Sequence, residues 1–310
     1  MNSISRRQFF AGSSAALLSV GVSSSQADSE TCGLGIGTYG LQSLPLGDSI
    51  GLVAKTGFNA IDLFVAPGYN CDPQKLSREQ KTDLRSRLAD SGLRLIALIA
   101  DLRPSSEKAQ QDAKTEEVKR ILDFGTELNS DSPPPVQATL GGKDWKQSKN
   151  LFAEALGKWS ELAADAKTIF AAKPHRGSAM STPAQAAELF RQLGEPKSLR
   201  MVYDYSHYAF RDMPIADTVE TALPWTSLVA VKDTILVDGK TRFALPGEGG
   251  TWDNAEIIQR FHAGGFRGDF SCEVSAQIWK GDPNYEPIAA TRKCFENMVA
   301  AFERAGVERA

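Results

Sequence analysis

The sequence has few of the residues and spacings that mark metal-binding or nucleic-acid-binding proteins. It contains three histidines and four cysteines in 310 residues, and no two cysteines form a CxxC pair. A zinc-ribbon site is therefore excluded. The net charge is −3 and the sequence pI is about 5.8, so the basic excess typical of nucleic-acid-binding proteins is absent. We expect no nucleic-acid partner.

The sequence also lacks a clear nucleotide-binding signature and a hydrophobic run long enough to span a bilayer. The glycine-rich stretch at residues 33–40 is not followed by a helix start that would bind phosphate, so no nucleotide cofactor is expected. The apolar run from Ala15 to Val22 is short and rich in small residues. Stable membrane insertion is therefore not expected.

The first 27 residues differ in composition from the rest of the chain. Arg6 and Arg7 precede the short apolar run, and Ser25-Gln26-Ala27 has the small-x-small pattern of a cleavage site. This segment resembles a twin-arginine export signal. We therefore predict an export signal at residues 1–27, a single mature domain at residues 28–310, and a periplasmic location. The four cysteines of the mature chain permit a disulfide in that compartment without specifying one.

Apolar runs alternate with amphipathic segments along the whole of residues 28–310. The run LRLIALIADL at residues 93–102 is almost continuously apolar, which is typical of a strand in a parallel sheet covered on both faces. The helix before it has a capping-box start at Ser77 and Gln80 and a stop at Gly92. Eight such strand-helix units predict an α/β fold, the (β/α)8 TIM barrel, with a doubly wound open sheet as the alternative.

Charged and imidazole side chains follow three of the predicted strands. Lys173 and His175 follow one apolar run, Asp204 and His207 follow the next, and Glu273 ends the last. In a parallel barrel the carboxyl ends of all strands open at the same mouth, where active sites lie. The sequence therefore predicts that these five side chains form one site.

The ordered motifs of the second half resemble the xylose-isomerase-like family of sugar (phosphate) isomerases and epimerases. They are KPHRG, DYSH, VKD, LPGEG and CEVS, at residues 173–177, 204–207, 231–233, 245–249 and 272–275. The resemblance implies a TIM barrel that commonly binds one divalent metal ion through glutamate, aspartate, histidine and glutamate from successive strand ends.

Two of the four ligands implied by the resemblance are missing. Lys173 stands where the family has its first glutamate, and Ala230 stands where it has its histidine. If an ion such as Mn, Mg, Co or Zn were bound, Asp204, Glu273 and His207 would be its ligands. Three ligands are few for a hard divalent cation, and the positive charge of Lys173 beside them repels such an ion. We therefore do not expect a conventional metal site.

We hypothesise instead that the Lys173 ammonium lies between Asp204 and Glu273 and takes the place of the metal ion. The alternative interpretation is a structural salt bridge in a barrel that has lost its activity. A charged lysine next to a carbonyl polarises it, and a carboxylate can remove the neighbouring proton. In this scheme Glu273 is the base, and His175 and His207 are acids or orienting groups.

Three further residues are candidates for binding substrate. Asp62 is the one acidic residue of the second predicted strand, FNAIDLFV. The resemblance implies that Lys232 contacts a substrate oxygen. Trp279 is an aromatic residue near the last strand end, and sugars pack their C–H faces on such rings. The expected partner is a small-molecule carbohydrate.

The sequence thus predicts a sugar or keto-sugar isomerase or epimerase, or a related lyase, that transfers a proton next to a carbonyl. A non-catalytic carbohydrate-binding TIM barrel with a decayed metal site is the alternative. A third hypothesis is the endonuclease activity found in the same superfamily, which needs a histidine-rich site for several zinc ions. Three histidines in the chain do not supply such a site.

Overall fold

The computed structural model describes residues 30–310, and the export signal predicted at residues 1–27 lies outside them. Eight parallel strands close into a barrel in which each strand pairs with its neighbours in the chain and the first pairs with the last. This confirms the predicted (β/α)8 barrel, and the open doubly wound sheet is wrong. The barrel strands are β1 Gly33–Gly37, β2 Ala60–Phe64, β3 Arg94–Ala100, β4 Val136–Ala138, β5 Phe170–Ala172, β6 Leu199–Tyr203, β7 Thr226–Val231 and β10 Asp269–Cys272.

Helices follow the strands and cover the outside of the barrel. They are α1 Leu46–Thr56, α2 Arg78–Ser91, α3 Lys108–Leu128, α4 Trp145–Asp165, α5 Pro183–Gln192, α6 Ile215–Ala222, α7 Asn254–Ala263, α8 Ala276–Trp279 and α9 Pro287–Ala305. The predicted capping signals act as expected. Ser77 and Gln80 form the capping box of α2, and the helix ends at Gly92 in the left-handed conformation with φ 69°.

Two groups of apolar side chains form the core. The larger lies between strands and helices, and it includes the four cysteines, all buried and free of disulfides. The smaller consists of strand residues alone: Ala60, Ile96, Ala97, Ala171, Val202, Leu228 and Ala230. Its members are mostly short side chains, which leaves room inside the barrel for the long polar side chains at the carboxyl ends of the strands.

A β-hairpin follows β7 directly. It is formed by β8 Asp233–Val237 and β9 Lys240–Ala244, and it turns at Asp238 and Gly239, which have φ of 51° and 71°. These angles are those of a two-residue hairpin turn, as the Asp-Gly pair predicts. Asp233 also accepts hydrogen bonds from the backbone N–H groups of Gly247 and Gly249, so it fixes the glycine-rich loop beside the hairpin.

No helix within residues 30–310 is long and apolar enough to cross a membrane.

Candidate active site

The structure brings the five predicted side chains together at the carboxyl end of the barrel. Lys173 and His175 follow β5, Asp204 and His207 follow β6, and Glu273 follows β10. Asp204, Lys173 and His207 are almost completely buried, whereas the Glu273 side chain is 22% exposed. The positions follow from the fold, because Lys173, Asp204 and Glu273 come directly after strands of the same parallel barrel and the two histidines follow within the next few residues.

The Lys173 ammonium lies between the two carboxylates. Its Nζ is 2.7 Å from Oδ2 of Asp204 and 2.5 Å from Oε2 of Glu273. An ammonium group has three N–H donors, and these two ion pairs use two of them. Among the described residues the third donor has no partner. Since Lys173 also lines the open cavity described below, this donor is available to a ligand there.

A second ammonium group, that of Lys232, joins the same two carboxylates. Its Nζ is 2.5 Å from Oδ2 of Asp204, 2.9 Å from Oε1 of Glu273 and 3.3 Å from Nε2 of His207. All three of its donors are therefore used inside the protein. Lys232, which the resemblance implies as a contact of a substrate oxygen, is buried in the structure and does not line the cavity described below.

Asp204 has all its acceptor positions filled. Oδ2 faces both ammonium groups, and Oδ1 accepts hydrogen bonds from the backbone N–H and the hydroxyl of Ser206 at 3.1 and 2.6 Å. Ser206 belongs to the turn that Asp204 itself caps. Asp204 therefore holds the ion-pair network to the β6 strand end, and Glu273 is the carboxylate of the network that reaches the cavity.

The network keeps Asp204, Glu273 and Lys173 charged at neutral pH. Burial alone would raise the pKa of Asp204 and Glu273, but the ammonium groups of Lys173 and Lys232 outweigh burial and hold both pKa values well below the usual range. Burial would lower the pKa of Lys173, and the two carboxylates instead raise it above its ordinary value. Two positive and two negative charges thus compensate one another away from solvent.

The two histidines of the site are neutral. Burial, helped by the nearby lysines, lowers the pKa of His175 to about 4 and that of His207 well below its ordinary value. Nδ1 of His175 accepts a hydrogen bond from the backbone N–H of Gly177, so its proton is on Nε2. The ammonium of Lys232 faces Nε2 of His207, which places that proton on Nδ1. The two rings lie 4.0 Å apart.

The hairpin covers part of this site. The ring of Phe243 lies 4.9 Å from Nζ of Lys232, and its centroid is 5.4 Å from that of His207. The guanidinium of Arg176 lies over the same ring, with its central carbon 4.5 Å from the ring centroid. Phe243 therefore shields Lys232 and His207 from solvent, in agreement with their burial.

Asp62 lies inside the barrel wall and outside the ion-pair network. It is 2% exposed, its Oδ2 accepts a hydrogen bond from the hydroxyl of Ser271, and its Oδ1 has no hydrogen-bond partner among the described residues. Burial raises its pKa to about 7. Asp62 does not line the cavity, so the structure places it near the site without direct access to a ligand there.

An open cavity of about 590 Å³ adjoins the network, a volume within the range of small-molecule sites. Lys173, His175 and Glu273 line it. Loops and strands of the first half of the chain supply the rest of its wall, including three aromatic rings and two polar residues in and directly after β4: Tyr39, Phe64, Tyr69, Gln137 and Thr139. Exposed charges are also present at its rim, where Arg103 pairs with Asp101.

Sequence reasoning missed this half of the cavity. Tyr39 lies in a short 3-10 helix after β1 and Tyr69 in the loop after β2, and nothing in the local pattern shows which way either ring points. Gln137 had a visible signal, because it is a polar residue within a short buried strand. Trp279, predicted to stack on a sugar, packs edge-on against Tyr39 at 5.6 Å and does not itself line the cavity.

The residues of the network do not fit the divalent ion that the resemblance implies. Oδ2 of Asp204 faces two ammonium groups at 2.7 and 2.5 Å, and each oxygen of Glu273 faces one. A cation at these oxygens would meet two positive charges at close range. Within residues 30–310 no cluster of three or more acidic, histidine or cysteine side chains is placed to hold a metal ion.

Solved structures with the same fold have low sequence identity to this chain. D-psicose 3-epimerase from Clostridium cellulolyticum H10, solved with D-tagatose, superposes with a TM-score of 0.73 at 14% identity over 88% of this chain and 99% of its own. A xylose isomerase-like TIM barrel protein from Mycobacterium smegmatis, solved with magnesium, gives 0.68 at 14% identity over 88% and 97%.

The chain spans 43% of a third match, a fusion of a xylose isomerase-like TIM barrel with a 4-hydroxyphenylpyruvate dioxygenase, which has 16% identity and a TM-score of 0.68 over 89% of this chain. No curated protein matches the sequence. A family model, the xylose isomerase-like TIM barrel, matches residues 50–298. Because that match covers most of the chain and the barrel and strand-end motifs agree with it, the protein belongs to the xylose isomerase-like TIM-barrel family.

Proposed function

We propose that the protein is a sugar or keto-sugar isomerase or epimerase, or a related lyase, that transfers a proton next to a carbonyl group. Family membership supports a sugar as the substrate, as does the likeness to a D-psicose 3-epimerase solved with D-tagatose. The aromatic rings of Tyr39 and Tyr69 in the cavity wall suit the C–H faces of a sugar. The predicted export signal would place this activity in the periplasm.

One observation carries the proposal: Lys173 holds two carboxylates and still has one donor for the cavity. In the proposed reaction this N–H donates to the carbonyl oxygen of the substrate. A positive charge at that oxygen stabilises the enediolate that forms when the neighbouring carbon loses its proton. The ammonium group thereby supplies the electrostatic stabilisation that a metal ion supplies in a metal-dependent site.

Glu273 is the proposed base. It is the carboxylate of the network that reaches the cavity, and it is ionised at neutral pH. Its low pKa makes it a weak base, so the step depends on Lys173 making the substrate proton more acidic. When the substrate oxygen draws the Lys173 ammonium toward itself, the Glu273 oxygen loses part of its compensating charge and becomes more basic.

The histidines have different roles in the proposal. His175 lines the cavity with its proton on Nε2, so it is a neutral donor to a substrate oxygen. His207 contacts Lys232 and Asp204 and does not line the cavity, so it is a positioning residue for the network. Lys232 likewise orients both carboxylates without touching substrate.

A specific observation also favours a second candidate, a non-catalytic carbohydrate-binding barrel. Both oxygens of Glu273 are already paired with lysine ammonium groups, at 2.5 and 2.9 Å, as in a structural salt-bridge network. In this alternative the cavity binds sugar and no proton is transferred.

Proton–deuterium exchange separates the two candidates. The protein is incubated in D₂O with a panel of aldoses, ketoses and keto-glycosides, and deuterium next to the carbonyl is measured by NMR. We expect the wild type to exchange at least one sugar, and Glu273→Gln to lose about 100-fold or more of that rate. Glu256→Gln, which changes a surface acid paired with Arg260, is the matched control and should retain the wild-type rate. Sugar binding without exchange would identify a binding protein.

A further inference from the structure

Gln137 is a polar residue at a position in the barrel that is otherwise apolar. It lies in the middle of β4, in register with Ile99 of β3 and Ala171 of β5. Its side chain lines the open cavity, yet the residue is only 3% exposed. It therefore brings an amide group to a deep part of the cavity wall, one strand away from the strand that Lys173 follows.

The Gln137 amide has an unmet hydrogen-bonding requirement. Its Oε1 is buried and has no hydrogen-bond partner among the described residues. An unpaired buried carbonyl oxygen destabilises a protein, and such groups are rare in folded structures. A ligand group that donates a hydrogen bond to this oxygen removes the cost of leaving it unpaired, and this favours binding of that ligand.

We propose that Gln137 forms a subsite for one hydroxyl group of the sugar and selects substrates that carry it. A hydroxyl both donates and accepts, so it pairs with either end of the amide, whichever faces the cavity. Neither an anion nor a cation matches both ends of an amide in this way. Lys173 and Glu273 line the same cavity, which places the selected hydroxyl on the substrate that they bind.

This inference rests on the proposed function for its ligand class, and it adds the group that is recognised. A site built to hydrogen-bond a hydroxyl discriminates strongly against an analogue without it, because the protein group is then left unpaired. Sugars that differ at a single hydroxyl therefore reveal which one Gln137 contacts.

The test removes the Gln137 amide and one sugar hydroxyl, separately and together, and compares the effects on binding. Binding of D-fructose, D-psicose and D-tagatose, and of their monodeoxy derivatives at each carbon, is measured by calorimetry for the wild type and for Gln137→Met. In the wild type, we expect one deoxy position to weaken binding by about 5- to 150-fold relative to the parent sugar. In Gln137→Met the same derivative and its parent should bind equally.

Two controls accompany this measurement. Gln192→Met changes an exposed glutamine on α5, outside the cavity, and it should keep the wild-type difference between parent and deoxy sugars. Gln137→Met replaces an unpaired amide by an apolar side chain of similar size, so its melting temperature should equal or exceed that of the wild type. Gln137→Leu serves as a second variant if the first does not fold.

The outcomes are distinct. If the wild type binds sugars but Gln137→Met keeps the same deoxy pattern, the hydroxyl subsite is wrong while the proposed function stands on the exchange experiment. If the pattern changes as expected and no sugar exchanges deuterium, the subsite stands and the proposed reaction is wrong. If the wild type binds none of these sugars, the inference is overturned together with the sugar substrate on which it rests.

Discussion

Replacing Lys173 by methionine removes one of the two ammonium groups that compensate Asp204 and Glu273. Methionine keeps a flexible side chain of similar length, so the main change is the loss of charge. The variant leaves two carboxylates, one of them fully buried, to share the single ammonium of Lys232. The folded state therefore acquires an uncompensated negative charge in its interior.

The size of the effect follows from the burial of the pair. Lys173 is 3% and Asp204 0% exposed in their side chains. Removing one partner of a buried ion pair costs about 3–5 kcal/mol. This is a large part of the total stability of about 5–15 kcal/mol typical of a folded protein. In a chain of this size it lowers the melting temperature by roughly 10 °C.

Urea unfolding at pH 7 and pH 4 tests both the size and the origin of this loss. In the wild type the two carboxyl pKa values are depressed, so their stabilisation is present above the unfolded pKa of about 4 and is lost only as pH falls through the folded values. Without Lys173 the folded pKa values rise, and a carboxyl group takes up a proton as the pH falls from 7 to 4. The loss of stability should therefore be smaller at pH 4 than at pH 7.

The control is Lys108→Met, which breaks an exposed pair with Asp112 on the surface of α3. This change should leave the free energy of unfolding close to the wild-type value at either pH, because water screens an exposed ion pair. If Lys173→Met behaves like this control, the carboxylates do not depend on the ammonium and the reasoning is refuted.

Three further outcomes are expected. In Asp62→Asn, which removes a nearby carboxyl group whose pKa is raised to about 7, the exchange rate should stay constant from about pH 5 to 9. Glu273 and Lys173 remain charged over that range, and His175, with its pKa of about 4, remains neutral. A step near pH 6.5 in the pH–rate profile of this variant would contradict this. In urea unfolding, the stability of Asp62→Asn relative to the wild type should rise by about 4 kcal/mol between pH 4 and pH 8. The reason is that the buried wild-type carboxyl group, whose pKa is raised to about 7, stays protonated at pH values where the same group in the unfolded chain is already ionised, and this costs stability as the pH rises. A stability difference that does not change with pH would contradict this. The double variant Lys173→Glu, Ala230→His should bind Mn²⁺ in a calorimetric titration, because it restores the two missing ligands. Absence of binding would show that the barrel mouth has changed in other ways.

The sequence predicted the barrel well, because each level of the pattern agreed with the others. The apolar run at residues 93–102 contains β3, the Ser77 capping box starts α2, and the Asp238-Gly239 turn forms the hairpin. The residues that follow β5, β6 and β10 meet because a closed parallel barrel allows no other arrangement of its strand ends. That part of the site needed only the fold.

The rest of the site depended on side-chain directions that a sequence does not contain. Lys232 lies two residues after the inward-facing Ala230, and alternate strand residues point to the same side. That spacing was a signal for a second buried ammonium group. Tyr39 and Tyr69 come from the connections after β1 and β2, whose path is set by tertiary packing, so their place in the cavity was not predictable.

Metal content measures the central claim most directly, namely that lysine ammonium groups stand where a related site would hold an ion. The purified wild-type protein is dialysed against Mn²⁺, passed over a desalting column and analysed for bound metal per chain. The account predicts far less than one ion per chain for the wild type. One tightly bound divalent ion per wild-type chain would contradict it.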